Sequence, residues 1–409
     1  MAKKFVFGSV LIMSIFLALS GCSMDIHDGE KHKNNVSQQD IEQEIDPIKE
    51  QIKNMPLDKK IGQMIIVGLD GTTLDENAKE LINNYYVGGF ILFKDNLESM
   101  EQILMLLNDL KSLNAKNNIP LFLSIDEEGG RVSRMPDEFV KLPSNRVIGQ
   151  KKDKALCYKI GSVIAEEIKS FGFNMNFAPV LDIDSNPDNP VIGDRSFGTD
   201  EKIVSELGIE TMKGLQSKGV ISVVKHFPGH GDTAVDSHMG LPILDKDLNS
   251  LYQLELVPFI KAIENHTDGV MVAHILFNKI DSENPATLSE SIMTDLLRKE
   301  LNYDGLVITD DMTMAAIMDN YELDDAVVKS IKAGSDIILV CHGYENEFKA
   351  LEAIRNAVKD DIISEERIDE SLYRILKTKD QYELKDKSIE HVDSDKINEE
   401  IGNLWTTIK

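Results

Sequence analysis

From about residue 63 onward the chain alternates between two textures. Short runs of apolar and β-branched residues recur eight times: "QMIIVGL" (63–69), "GGFILF" (88–93), "PLFLSID" (120–126), "NMNFAPVLDI" (174–183), "VISVVKHF" (220–227), "GVMVAHI" (269–275), "GLVITDD" (305–311) and "DIILVCH" (336–342). These runs are continuously apolar rather than strictly alternating, which suggests strands covered on both faces, as in a parallel sheet. The intervening stretches have helical spacing. In one of them Leu323, Ala326, Val327 and Ile331 share a face, and Gly334 stands where a C-cap glycine ends a helix. Eight strands separated by helices predict an α/β fold, a (β/α)8 barrel of the TIM type, occupying residues 55–385 as one domain. A doubly wound open sheet would show fewer strands and a glycine-rich phosphate loop after the first, and neither G-x-G-x-x-G nor a P-loop occurs. The run "IDESLYRILKTKDQYEL" reads as the last helix, and residues 386–409 as a charged tail.

The N-terminus has a third texture. "MAKKFVFGSVLIMSIFLALSGCSMD" carries two lysines, an apolar run over 5–19 and then small residues. This is the pattern of a signal peptide, 1–21, too short and wrongly flanked for a membrane span. Its end, Leu19-Ser20-Gly21-Cys22, resembles the bacterial lipoprotein signal, in which the cysteine becomes the acylated first residue. Residues 22–54 then read as a polar tether that lifts the domain off the membrane. The expected location is the extracytoplasmic face of the cell membrane, held by lipid on Cys22, with the protein a monomer. A formal charge of -26 over 409 residues excludes a nucleic-acid partner, since a phosphate surface rewards clustered Lys and Arg. It also opposes adhesion to anionic lipid without such an anchor. Cys157 in "ALCYKI" and Cys341 in "IILVCH" predict buried free thiols, and no Cys-x-x-Cys offers a thiolate zinc site.

The polar residues collect at the strand ends, where a barrel of this kind builds its active site. Strand three ends in Asp126 and "EEGGRVSR", strand four in Asp182, strand five in Lys225-His226, strand six in His274 and strand seven in Asp310-Asp311. Asp310 follows "LVIT" on a rigid strand end, from which a carboxylate can attack a sugar's anomeric carbon. Asp311 suits a capping or ion-pair role better. The loop "KHFPGHGDTAVDSHMGLP" places three histidines, His226, His230 and His238, within thirteen residues. In "DSH", Asp236 can accept a bond from the His238 imidazole, fixing its tautomer and stabilising the protonated ring, which makes the pair a candidate acid/base. The surrounding Gly and Pro suit a loop that reaches over a substrate and moves away. A metal site would need tighter His-x-His or His-Glu-x-x-His spacing on rigid elements. No metal and no cofactor is therefore expected, and His230 and Asp232 are read as shaping the loop.

Together, "LDKKIGQM", "GGFILFKDN", "IDEEGGRVSR", "NFAPVLDI", "IGDRSFG", "KHFPGHGDTAVDSHMGLP", "VMVAHILF" and "VITDDMTM" resemble glycoside hydrolase family 3, in its β-N-acetylglucosaminidase branch, over residues 57–382. The resemblance implies that Asp310 is the nucleophile and His238 the acid/base supported by Asp236. It implies that Asp126 binds sugar hydroxyls, with Arg134, Arg195, Lys225 and His226 around the same sugar. Lys225-His226 read without the family has a lesser alternative as a buried ion-pair element. Glu127, where many relatives carry Gln, and Glu128 receive no role. The implied activity is retaining, exo-acting release of terminal GlcNAc from a glycan or muropeptide, with peptidoglycan fragments as the source. Phosphorolysis of the same bond and non-catalytic sugar binding are the alternatives.

Overall fold

The computed structural model describes residues 46–408. The signal peptide, Cys22 and most of the tether lie outside the described residues. Eight parallel strands close into a barrel: β1 (Ile65–Val67), β2 (Gly89–Leu92), β3 (Phe122–Ile125), β4 (Met175–Asn176), β5 (Ile221–Phe227), β6 (Gly269–Val272), β7 (Leu306–Asp311) and β8 (Ile337–Val340). Each pairs with its sequence neighbours, and β8 closes on β1 through Ile65↔Ile338 and Val67↔Val340. All eight predicted runs therefore become strands of one closed sheet. They are buried on both faces because side chains fill the inside and helices cover the outside. The fourth is far shorter than its ten-residue run, since Pro179 has no N–H to give to a ladder. The helix Leu323–Ala333 ends at Gly334 with φ +129°, and Leu323, Ala326, Val327 and Ile331 are its buried face.

Both ends of the predicted domain move outward. Residues 47–53 of the expected tether form a helix whose Ile52 packs with Ile119, Leu372 and Leu376 beneath the barrel. The expected charged tail contains the helix Ser394–Ile408, which lies against the helix Lys154–Phe171. Its Ile397, Ile401, Leu404 and Ile408 are buried, at i, i+4, i+7 and i+11, so a charged surface masks an apolar stripe. Among the described residues no helix is long and apolar enough to cross a membrane.

Two strands depart from a regular pleat. Opposite β6, β5 carries one residue too many between Val224 and Phe227, and opposite β8, β7 does the same between Ile308 and Asp311. Successive side chains on a strand normally point to opposite faces. An extra residue resets that alternation. As a result Lys225 and His226, and likewise Asp310 and Asp311, border the same cavity.

Candidate active site

A cavity of about 370 Å³ opens at the C-terminal ends of the strands. Asp126, Arg134, Arg195, Lys225, His226, His238 and Asp310 all line it, and Asp236 reaches it through His238. The catalytic and sugar-binding residues expected from the sequence thus converge there.

The floor is a buried charge network. Lys225, 2% exposed, bonds Asp126 and lies 2.7 Å from Glu128 Oε1. Arg195 donates to both Glu128 oxygens, from Nε at 3.0 Å and a terminal nitrogen at 2.8 Å. Burial would raise the Glu128 carboxyl, but Arg195 and Lys225 hold it far below the ordinary range. Without Glu128 the buried Arg195 would lose its carboxylate partner and Lys225 one of its two, a loss of about 3–5 kcal/mol for a broken buried pair. Glu128, left without a role by the sequence, is the keystone that fixes both cations. The turn behind it needs Gly129 and Gly130 at φ +85° and +59°, where a side chain would also strike Pro143 and Ser144.

A second network orients the histidines. Asp182, fully buried, takes a bond from His226 Nδ1 at 2.6 Å and from the His230 amide at 2.7 Å. That leaves His226 Nε2 toward the cavity, 3.4 Å from Arg195. His230 is buried between Thr233 and Ser237, and burial together with the nearby His226 lowers its ring to about 4. Its backbone is seated by Gly231, where any Cβ would lie 1.6 Å from the Ile183 carbonyl. Farther along the loop, Asp236 Oδ1 accepts from His238 Nδ1 at 2.8 Å and from the His238 amide at 2.9 Å. The three imidazoles of the loop thus have separate partners: Asp182 for His226, Thr233 and Ser237 for His230, and Asp236 for His238. Among the described residues no group of three or more His, Cys, Asp or Glu side chains stands in reach of one metal ion.

Asp310 lies near the end of β7, deep in the barrel mouth, where burial alone would raise its carboxyl. The nearby His274 and His226 rings and the Asp311 amide, 2.9 Å away, bring it below the ordinary carboxylate value instead. It is ionised at neutral pH. Asp311 has a structural part: it accepts from the Cys341 amide at 3.0 Å and from Thr313, clamping β7 to the end of β8. His274 lies behind the wall, fully buried, with Nε2 on the Asp311 carbonyl at 2.9 Å and Nδ1 on Thr287 at 2.7 Å. Arg134 sits 5.8 Å from the Phe93 ring, and its Nε is buried without a partner among the described residues.

Glu127 faces away from the cavity. It accepts from the Arg134 amide at 2.7 Å, and burial pushes its carboxyl up to about 7. Burial and Glu127 also raise its neighbour Glu167. A carboxyl raised in the fold from an ordinary 4.5 stabilises below that value, and the stability is lost as pH rises through 7. Glu127→Gln removes this titration. Its stability relative to wild type should rise by about 1–3 kcal/mol between pH 5 and pH 8, read from denaturant midpoints. An unchanged difference at the two pH values would show that Glu127 does not titrate there.

A parallel barrel with an ionised carboxylate and paired cations at its strand ends, and a histidine–aspartate pair on a loop beside them, has the layout of an enzyme's active site. The chain belongs to glycosyl hydrolase family 3, whose N-terminal domain matches residues 56–378. It is 39% identical over 332 residues to beta-hexosaminidase A of Pseudoalteromonas piscicida, an alignment covering 75% of this chain and 56% of that protein. It is 35% identical over 297 residues to a beta-hexosaminidase of Nitrosomonas eutropha, covering 71% and 84%. The fold matches a family 3 beta-N-acetylglucosaminidase from Paenibacillus sp. with a TM-score of 0.81 and 41% identity, over 86% of this chain and 68% of that one. The chain spans little more than half the length of the first of these relatives.

Proposed function

We propose that the protein is a retaining, exo-acting β-N-acetylglucosaminidase. The observation that carries this reading is the convergence of Asp310, on a rigid strand end, and the Asp236–His238 pair, on a loop, upon one cavity. In the first step Asp310 attacks the anomeric carbon, the C1–O bond to the leaving group breaks, and His238 gives its proton to the departing oxygen. Asp236 stabilises the imidazolium that His238 must be beforehand. In the second step His238 takes a proton from water as that water attacks C1 and frees the Asp310 carboxylate. Asp126, Arg134, Arg195, Lys225 and His226 hold the hydroxyls of the sugar. A cavity of about 370 Å³ is near the small end for a ligand pocket and suits one terminal residue of a glycan.

Water is favoured over phosphate as acceptor. The lining holds four carboxylates, Asp126, Glu128, Asp310 and Asp311, against three cations, Arg134, Arg195 and Lys225. Two of those cations are already bound to Asp126 and Glu128. When the acceptor arrives Asp310 is esterified, so three carboxylates face three cations, and with Arg195 and Lys225 already paired a phosphate dianion would find Arg134 alone to offset its charge. The same carboxylates and the exposed loop argue against non-catalytic sugar binding, which has no use for an ionised Asp310. With Cys22 lipidated, the natural substrate would be GlcNAc-terminated peptidoglycan fragments outside the cytoplasmic membrane.

Purified protein should hydrolyse a nitrophenyl N-acetyl-β-glucosaminide, leave the glucoside nearly untouched, and form free GlcNAc whether or not phosphate is present. Formation of GlcNAc-1-phosphate would replace hydrolysis by phosphorolysis, and equal rates on both glycosides would remove the N-acetyl preference. In cells the activity should sediment with membranes, and Cys22→Ala should move it to the soluble fraction.

A further inference from the structure

The tip of the catalytic loop, 234–240, is mostly in solvent. Val235 is 43% exposed and Met239 79%, while Ser237, between the two members of the pair, is 2% exposed. The bonds of Asp236 and His238 are internal: Asp236 Oδ1 holds the His238 ring and amide, and the Asp236 carbonyl accepts from Met239 and Gly240. Such bonds fix the shape of the tip and leave its position over the barrel open. The hydrogen bonds that tie 234–240 to the rest of the described residues both belong to Ser237. Its Oγ lies 3.2 Å from His230 Nε2, and its carbonyl accepts from the Ala316 amide at 3.2 Å.

Each of these partners is itself fixed. The His230 amide is held by Asp182, and the other ring nitrogen lies 2.8 Å from Thr233 Oγ1. Both neighbours of the ring are hydroxyls, which donate or accept as required, so either tautomer keeps both bonds. Ala316 belongs to the short helix Ala315–Met318, the first element after β7 and its Asp310.

We propose that Ser237 is the latch of the catalytic loop: a positioning residue that, through His230 on one side and Ala316 on the other, sets His238 over the strand that carries Asp310. The proposal rests on the reading of His238 as the proton donor. It accounts for a hydroxyl in a tip that otherwise needs none, and for a buried histidine whose two ring nitrogens are spent on Thr233 and Ser237. When the latch is open, the pair keeps its internal bond and drifts from the leaving oxygen, so catalysis suffers only where proton donation matters.

The test compares wild type with Ser237→Ala, Ser237→Thr, His230→Leu, the Ser237→Ala/His230→Leu double variant and His238→Ala. Each is assayed on a GlcNAc-terminated disaccharide and on dinitrophenyl N-acetyl-β-glucosaminide, whose leaving group needs no proton. Ser237→Ala should lower kcat/KM for the disaccharide about five- to tenfold, the worth of one neutral hydrogen bond, and hold that for the dinitrophenyl glycoside within about twofold. Ser237→Thr should restore the disaccharide rate. If Ser237→Ala does not fold, His230→Leu opens the latch from the other side and should show the same split. The double variant should lose no more than the worse single one, because both cut one link. Equal losses on the two substrates, no loss on the disaccharide, or multiplying losses in the double variant would overturn the latch. A split in His238→Ala without one in Ser237→Ala sinks the latch alone. No split in His238→Ala sinks the acid/base reading, and the latch with it.

Discussion

Asp310→Ala should lower kcat by at least about a thousandfold, because removing a covalent nucleophile leaves only binding and charge stabilisation. The fold should survive, since Asp310 holds no other element in place beyond the Asp311 amide. A slow fluorinated N-acetylglucosamine analogue should label the wild type at Asp310, and peptide mass mapping would locate the adduct. The sign of the pH effect follows from the lowered carboxyl: acid inactivates the nucleophile by protonating it, and only as pH falls below the ordinary carboxylate range. The N-acetyl group of a substrate can also attack its own anomeric carbon, with no enzyme nucleophile. A label on another residue, or no adduct at all, would favour that route and remove Asp310 from its role.

His238→Ala should divide substrates by their leaving group. Cleavage of a disaccharide, which expels a poorly acidic sugar hydroxyl, should fall by about 10²–10⁴-fold. Formation of the glycosyl-enzyme from a dinitrophenyl glycoside should be nearly untouched, while its hydrolysis slows for want of a base. With that substrate kcat therefore drops, kcat/KM holds and KM falls. Asp236→Ala should act in the same direction more weakly, since the ring remains but loses the carboxylate 2.8 Å away. Parallel losses on both substrates would mean that His238 shapes the site rather than moving a proton.

The barrel was legible because eight apolar runs without alternation admit few other arrangements. The residues at their ends were legible because polar groups there have no packing purpose. What stayed hidden depends on partners far apart in sequence. Glu128 could be read only once the strands brought it against Arg195 and Lys225, 67 residues away in the first case. Asp182 was visible as a strand-end acid, yet its hold on His226 and His230 emerges only in three dimensions. The C-terminal helix was hidden by composition: its buried Ile397, Ile401, Leu404 and Ile408 are separated by charged and polar residues, and the spacing carried the signal that the charge obscured.

The extra residues in β5 and β7 act as a change of phase. Up to that point each strand follows the two-residue rhythm of the wall, and beyond it the rhythm is released, so neighbouring positions serve one purpose. Asp310 and Asp311 both border the cavity, which neighbours on an alternating strand would not, and Asp311 also clamps β8. Lys225 and His226 do likewise, each drawing on a different acid, Asp126 and Glu128 for one and Asp182 for the other. A single inserted residue thus doubles what each of these two strands brings to the mouth, with the number of strands unchanged.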